Sequence, residues 1–338
     1  MRVSIFLFTA VIAVAVMPVS AAELVSRKLD LTDPGSRLIN SADHVLVMAE
    51  NGALFEVTGD GQVIERSGSA RLPESKPLRL PLVKDGRVAI SPDGLIRAWY
   101  TDETESYGHG ALGDVVEALS LVVQEEGGKL AVYSVIADEV FEDLEPRIVD
   151  LDRSLAGRPE IVAITATSTG GAGIAVFGIG RDSDGKPALL RLANSARIGT
   201  PYRWLNIAGI ADFDGDGFTE IAYVDRPHIR GELVFLEWRG GRLREQAREG
   251  GYANHHGGST VQDMSEVADV DGDGNPDLIL PVRGYGRIAA VSLAAEGLNR
   301  IAEVDIPSAP RSGIISTSPQ SAVYLDRAGA LYEIRWTP

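Results

Sequence analysis

A nine-residue acidic loop occurs twice in this chain and limits what it can fold into. Asp212 to Glu220 reads DFDGDGFTE, and Asp269 to Asp277 reads DVDGDGNPD. Each places carboxylates at positions 1, 3, 5 and 9 and glycine at position 6. Four carboxylates this close repel one another unless a cation sits among them. Hard oxygen ligands at this spacing suit Ca²⁺, so two calcium sites are expected. Apolar runs follow both loops (IAYV, LILPV). The loops therefore belong to a repeated unit that continues as strand. An EF-hand is excluded, because it needs helices on both sides and a bidentate Glu at position 12. Position 12 is Tyr223 in one copy and Leu280 in the other.

The repeat extends along the chain as strand, glycine turn, strand. Seven such units are read: Val45 to Val57, Val88 to Tyr100, Glu117 to Val135, Ile148 to Gly180, Ile207 to Trp238, Val267 to Leu293 and Ala322 to Trp336. GALFEV at Gly52 and GALYEI at Gly329 are nearly the same string, one near each end. A glycine recurs at similar offsets from the acidic residue that opens a strand pair, as in Glu117/Gly128, Glu220/Gly231 and Asp277/Gly286. Repeats of about 40 to 60 residues built from short strands indicate a propeller. The predicted fold class is all-β: a β-propeller of seven blades, each of four antiparallel strands, with six or eight as alternatives because Thr58 to Leu82 is hard to place. Closure is expected from pairing of the terminal strands. Helix content should be low, Leu243 to Arg248 and Val115 to Val123 being the only permissive stretches. The second of these is read as strand.

These loops and the period of the repeat resemble FG-GAP/VCBS-type repeat proteins of secreted bacterial origin, whose calcium loops are similar to those in the propeller of integrin α subunits. The likeness is strong from Ile148 to Leu293 and weaker on either side. It implies that Asp212, Asp214, Asp216 and Glu220 are side-chain ligands with the Phe218 carbonyl. It implies the same of Asp269, Asp271, Asp273 and Asp277 with the Asn275 carbonyl. No clean FG…GAP string precedes either loop, so integrin-like ligand binding does not carry over. A third loop, IVDLDRSLAGRPEIV from Ile148, keeps Asp150 and Asp152 at positions 1 and 3 and Glu160 as position 9 after an insertion. With Arg153 and Arg158 inside it, it is expected to be a degenerate, metal-free copy.

The first 22 residues read as a secretory signal peptide. Arg2 is followed by an apolar run from Val3 to Val16, then Pro18 and small residues, with cleavage after Ala21 or Ala22. An uncleaved anchor is the alternative. The run is short for a span, so no membrane insertion is expected after cleavage. Residues 23–338 are expected to form a single propeller domain in the periplasm or outside the cell, as a monomer. The chain contains no cysteine, which excludes disulfides and thiol nucleophiles. Its formal net charge of −16 argues against nucleic acid and anionic lipid as partners.

No nucleophile elbow, P-loop or dinucleotide fingerprint occurs. The absence of paired cysteines and of a regular Trp repeat disfavours a quinoprotein-like dehydrogenase. His109, His255 and His256 fall in loops expected on one face of a propeller. They offer either a transition-metal or small-ligand site, or only local hydrogen bonds. Trp99, Trp204, Trp238 and Trp336 are expected to pack between blades. The favoured function is a non-enzymatic binding or scaffold module for a protein or glycan partner, since propellers mostly serve as rigid platforms. The alternative is a polysaccharide lyase or hydrolase that uses channel residues.

Overall fold

The computed structural model describes residues 22–41, 44–66, 78–136, 138–153 and 158–338. The expected signal peptide lies outside the described residues except for Ala22. Apart from a single 3₁₀ turn at Glu126–Gly128, every regular element among the described residues is a strand. No helix among them is long and apolar enough to cross a membrane.

Antiparallel meanders of four strands repeat along the chain. Blade 1 comprises Gly35–Ser41, His44–Ala49, Leu54–Val57 and Val63–Arg66. Blade 2 comprises Ala89–Ile90, Arg97–Thr104, Glu117–Gln124 and Leu130–Ser134. Blade 3 is Arg147–Val149, Glu160–Thr167, Gly171–Arg181 and Pro187–Asn194. Blade 4 is Leu205–Ala211, Thr219–Asp225, Glu232–Arg239 and Arg242–Gly250. Blade 5 is Glu266–Ala268, Asp277–Pro281, Arg287–Ala294 and Gly297–Asp305. Blade 6 takes Ile315–Ser318, Ser321–Leu325 and Leu331–Thr337 from the C-terminal end, and its outer strand is Glu23–Lys28 from the N-terminal end. The two ends pair antiparallel from Glu23↔Thr337 to Lys28↔Tyr332. This is the expected closure of a β-propeller.

The described residues hold six blades rather than the favoured seven. Val88 to Tyr100 and Glu117 to Val135 were read as two units, but they pair in one sheet, from Arg97↔Gln124 to Thr104↔Glu117. Glu117 therefore opens a third strand, whereas Glu220 and Asp277 lie on second strands, so Gly128 is not equivalent to Gly231 and Gly286. The GALFEV and GALYEI strings are equivalent: each leads into the third strand of its blade. Their glycines, Gly52 and Gly329, have φ of 85° and 76°, a region that glycine enters without a Cβ penalty. The extra strand Glu139–Phe141 pairs with both neighbouring blades and fuses blades 2 and 3 into one sheet.

Alternation of burial is lost on the second strands of blades 3 to 6, which are covered on both faces, whereas His44–Ala49 of blade 1 keeps it. Thr219–Asp225 is buried at every position, whereas the outer strand Arg242–Gly250 has no buried position. Apolar clusters join adjacent blades: Phe141 with Phe177, Phe213 and Phe235 with Leu280, Trp336 with Ile279, and Phe55 with Val323. All four tryptophans are at most 2% exposed, consistent with packing. Trp336 lies opposite Leu24 at the closure. Trp336→Ala should cost about 3–5 kcal/mol in urea unfolding. Arg244→Ala on the exposed outer strand of blade 4 should stay within about 0.5 kcal/mol.

Candidate metal centre

Both acidic loops connect the first and second strands of their blades, in blade 4 and in blade 5. Much of their internal bonding repeats, though the Gly272 amide also donates to Oδ1 of Asp269 at 2.7 Å, whereas Oδ1 of Asp212 is left without a partner. The position-1 carboxylate accepts the amide of the position-6 glycine, Gly217 to Asp212 at 3.2 Å and Gly274 to Asp269 at 3.1 Å. Position 3 accepts the amide of position 5, Asp216 to Asp214 at 3.2 Å and Asp273 to Asp271 at 3.1 Å. Position 5 accepts the amide of position 7, Phe218 to Asp216 at 2.9 Å and Asn275 to Asp273 at 2.7 Å. Short carboxylate side chains that close turns on their own backbone are what Asp offers at such positions. Gly217 and Gly274, at φ 91° and 92°, allow the chain to reverse inside the loop.

A further bond ties the loop to the core. The amide of position 2 donates to the position-9 carboxylate, Phe213 to Glu220 and Val270 to Asp277, both at 2.8 Å. Phe213 and Val270 are fully buried beneath their loops. Blade 3 repeats the pattern: Leu151 donates to Glu160 at 2.9 Å, and Leu151 is buried. This places Glu160 as position 9 despite the insertion. The apolar residue between the first two aspartates is the sequence signal for this plug.

The structure brings Asp212, Asp214 and Glu220 together, each offering an oxygen within 4.8 Å of the others, and does the same for Asp269, Asp271 and Asp273. Asp216 stands beside its group, with its carboxylate 3.8 Å from Arg239, whose guanidinium lies 4.0 Å over the Phe218 ring. Asp277 is buried under the second loop. Two carboxylate oxygens of the first loop, Oδ1 of Asp212 and Oε1 of Glu220, are buried without a hydrogen-bond partner. A buried acceptor left unpaired is costly, and a cation is the partner that suits several such oxygens at once. The residues present therefore fit a hard divalent ion. Burial, with Asp214, Asp212 and Asp216 close by, pushes the Glu220 carboxyl up to about 8 against the amide of Phe213. Burial and neighbouring aspartates likewise push Asp277 up to about 7.

The loops of blades 3, 4 and 5 stand in a row. Arg153 of the degenerate loop donates to Oδ2 of Asp212 at 2.7 Å. Asp152 is taken by the indole of Trp238. A β-carbon at Gly215 would lie 2.3 Å from Oδ1 of Asn275. The Arg153 contact was not legible in the sequence, because its partner is on another blade.

Of the two readings of the histidines, local hydrogen bonding is what the structure shows for His255 and His256. His255 is fully buried between His228 and the Ser259 carbonyl, and His256 turns to the Pro310 carbonyl and the Tyr285 ring. His109 instead shares a surface groove with His228 and Tyr202, which sequence reasoning missed.

The FG-GAP-like repeat family matches residues 212–280, a span that covers both acidic loops and the strands between them. No curated protein matches the sequence significantly. Similar solved structures include a protein from Lactobacillus plantarum, at 14% identity and TM-score 0.41 over 90% of this chain and 76% of that one. Another is the WD40 domain of SCAP from fission yeast, at 9% identity and TM-score 0.41 over 91% of this chain and 64% of that one. A third is the complex of the fission yeast SREBP–SCAP binding domains, at 10% identity and TM-score 0.41 over 90% and 73%. These are loose likenesses of shape.

With metal withheld by chelator, Glu220 and Asp277 hold protons to higher pH in the folded than in the unfolded chain. The stability they contribute is full below the ordinary carboxylate range and declines as pH rises from there, until it is gone above about 7 for Asp277 and about 8 for Glu220. The melting temperature of chelated protein should fall over that window, and Glu220→Gln should flatten the fall. A pH scan of thermal unfolding checks this.

Proposed function

We propose that the chain is an exported, calcium-binding β-propeller that serves as a non-enzymatic binding or scaffold platform for a protein or glycan partner. On this reading it works as a monomer in the periplasm or outside the cell. The observation that carries the calcium reading is the pair of buried, unpartnered oxygens of Asp212 and Glu220 in a loop that gathers three carboxylates within reach of one ion. The match of residues 212–280 to the FG-GAP-like repeat family supports it. Asp212, Asp214, Asp216 and Glu220 would hold one ion and Asp269, Asp271, Asp273 and Asp277 the other, with the Phe218 and Asn275 carbonyls as further oxygen donors. When bound, the ion supplies the positive charge that relieves repulsion among the carboxylates. The role assigned to it is stability of one face of the ring, not chemistry.

The enzyme reading is favoured by one feature. Two cavities, of about 680 and 470 Å³, are lined by first strands and adjoining loops, the larger also by the second and third strands of blade 1. Each contains a carboxyl pushed up by burial, Glu266 in one and Glu145 in the other. Both are engaged: Glu266 accepts the Ser316 amide at 3.1 Å, and Glu145 stands 3.8 Å from Arg87. This makes the platform reading the better one.

Binding to the folded state alone stabilises by about 2.7 kcal/mol at a hundredfold excess of ligand over Kd. Chelator should therefore lower the melting temperature relative to millimolar Ca²⁺. Asp214→Ala combined with Asp271→Ala should abolish most of the difference, and Mg²⁺ should substitute poorly because it demands a tighter octahedral shell. An unchanged melting temperature with no calorimetric binding would overturn the calcium reading. Arg153 competes for Asp212 from a half-exposed position. In an Asp271→Ala background that isolates the first loop, Arg153→Ala should tighten Ca²⁺ about two- to fivefold by calorimetry, the range expected of an exposed ion pair.

A further inference from the structure

The groove that holds His109 lies on the face of the ring opposite the acidic loops. Successive turns of an antiparallel meander emerge at alternate ends of the blade. The acidic loops join first to second strands. The groove is built by turns between second and third strands and by the connections from one blade to the next: 105–116, 195–204, 226–231 and 251–265. These segments support one another, the Gly258 amide donating to the Ala111 carbonyl at 2.9 Å.

The groove has a volume of about 630 Å³ and is walled by His109, Tyr202, His228 and the backbone of Gly108, Gly257 and Gly258. No Asp, Glu, Lys or Arg lines it, although the chain carries a net charge of −16. Tyr202 is 45% exposed. Its ring is stacked on buried Tyr107 at 5.2 Å, with His109 at 6.0 Å. Its backbone has φ 52°, a conformation in which a bulky residue is an outlier and which collects at functional sites.

The hydrogen bonds fix what the imidazoles present. The Ser259 carbonyl can only accept, so Nε2 of His255 donates to it at 2.9 Å. In a neutral ring Nδ1 of His255 is then an acceptor, and Nε2 of His228 donates to it at 2.8 Å. This leaves Nδ1 of His228 as a lone pair without a protein partner. Burial holds His228 and His255 neutral, down to about 4 and about 3. His109 bonds through Nδ1 to buried Glu142, so its Nε2 is the free edge. Behind the wall lie two buried carboxyls, Glu142, pushed up to about 7 by burial, and Glu117, which accepts the amides of Gly108 and His109.

An aromatic face beside the acceptor Nδ1 of His228 and the Nε2 edge of His109, in a lining without charged side chains, suits a ligand that has an apolar face and several hydroxyl groups. We propose that this groove binds a neutral glycan, one sugar ring lying on Tyr202, with one hydroxyl donating to Nδ1 of His228 and another bonding the Nε2 edge of His109. This rests on the reading of the protein as a binding platform and does not depend on calcium in the acidic loops.

The test is titration of the exported chain, in millimolar Ca²⁺, with cellohexaose, maltohexaose, laminarihexaose and chitohexaose by calorimetry and saturation-transfer NMR. At least one should bind. Tyr202→Asn, which keeps a residue tolerant of the left-handed backbone, and His228→Ala should each weaken that binding at least tenfold while leaving the melting temperature and its calcium response in place. Absence of binding to all four sugars by folded wild-type protein overturns the proposal. So does binding that survives Tyr202→Asn, or binding of Zn²⁺ instead of sugar that His228→Ala abolishes. The calcium response, read on the same samples, separates failure of this site from failure of the acidic loops.

Discussion

A four-stranded blade built like these has two apolar faces, and only a ring of blades covers both. That requirement governs the chain. It explains why Thr219–Asp225 is buried without alternation and why Phe141, Phe177, Phe235 and Trp336 sit at blade boundaries. It also explains why the N-terminal strand Glu23–Lys28 completes the C-terminal blade. A ring leaves no inner sheet face to water, and the terminal pairing covers an edge, Leu331–Thr337, that would otherwise template association.

Once the ring fixes the blades, their turns inherit fixed places, and charge can be concentrated there. The acidic loops are held by their own chain, because each of their carboxylates accepts a backbone amide and Phe213 and Val270 plug them into the core. What is left buried without any partner is Oδ1 of Asp212 and Oε1 of Glu220. Preorganisation of this kind keeps the carboxylates together at the cost of repulsion, seen in the raised proton affinity of Glu220. Blade 3 shows the other resolution of the same conflict. It keeps the plug, Leu151, and the position-9 carboxylate, Glu160, but Asp152 is bonded to Trp238 and Arg153 supplies a covalently attached cation to the neighbouring loop.

How much of this was legible in the sequence depends on the distance over which each feature is encoded. The acidic loops are local, so DFDGDGFTE and DVDGDGNPD disclosed their position in the repeat and the carboxylates that converge. The all-β class followed from short strands and glycine turns. The blade count did not, because the first strand of blade 2 is only Ala89–Ile90 and Glu117 imitates the acidic residue that opens second strands elsewhere. GALFEV and GALYEI were correctly matched because a positive-φ glycine before a third strand is a local demand. The contact of Arg153 with Asp212 and the meeting of His109, Tyr202 and His228 depend on how blades stand beside one another. No spacing in the sequence reports them.

The division of labour between the two faces follows from the parity of the meander. Turns after the first strand emerge on one side and carry the carboxylates, which face the same side in blades 3, 4 and 5 and reinforce one another. Turns after the second strand and the links between blades emerge on the other side and carry His109, His228, His255 and His256, the exposed Tyr202 and much of the glycine-rich loop sequence. Charge on the first face makes it suited to ions and unsuited to a neutral ligand. The uncharged groove on the second face is suited to the reverse. Because the two sets of turns are ends of the same strands, ordering the acidic loops also steadies the strands from which the groove's loops rise: Thr219–Asp225 runs from the first acidic loop directly to the turn that bears His228.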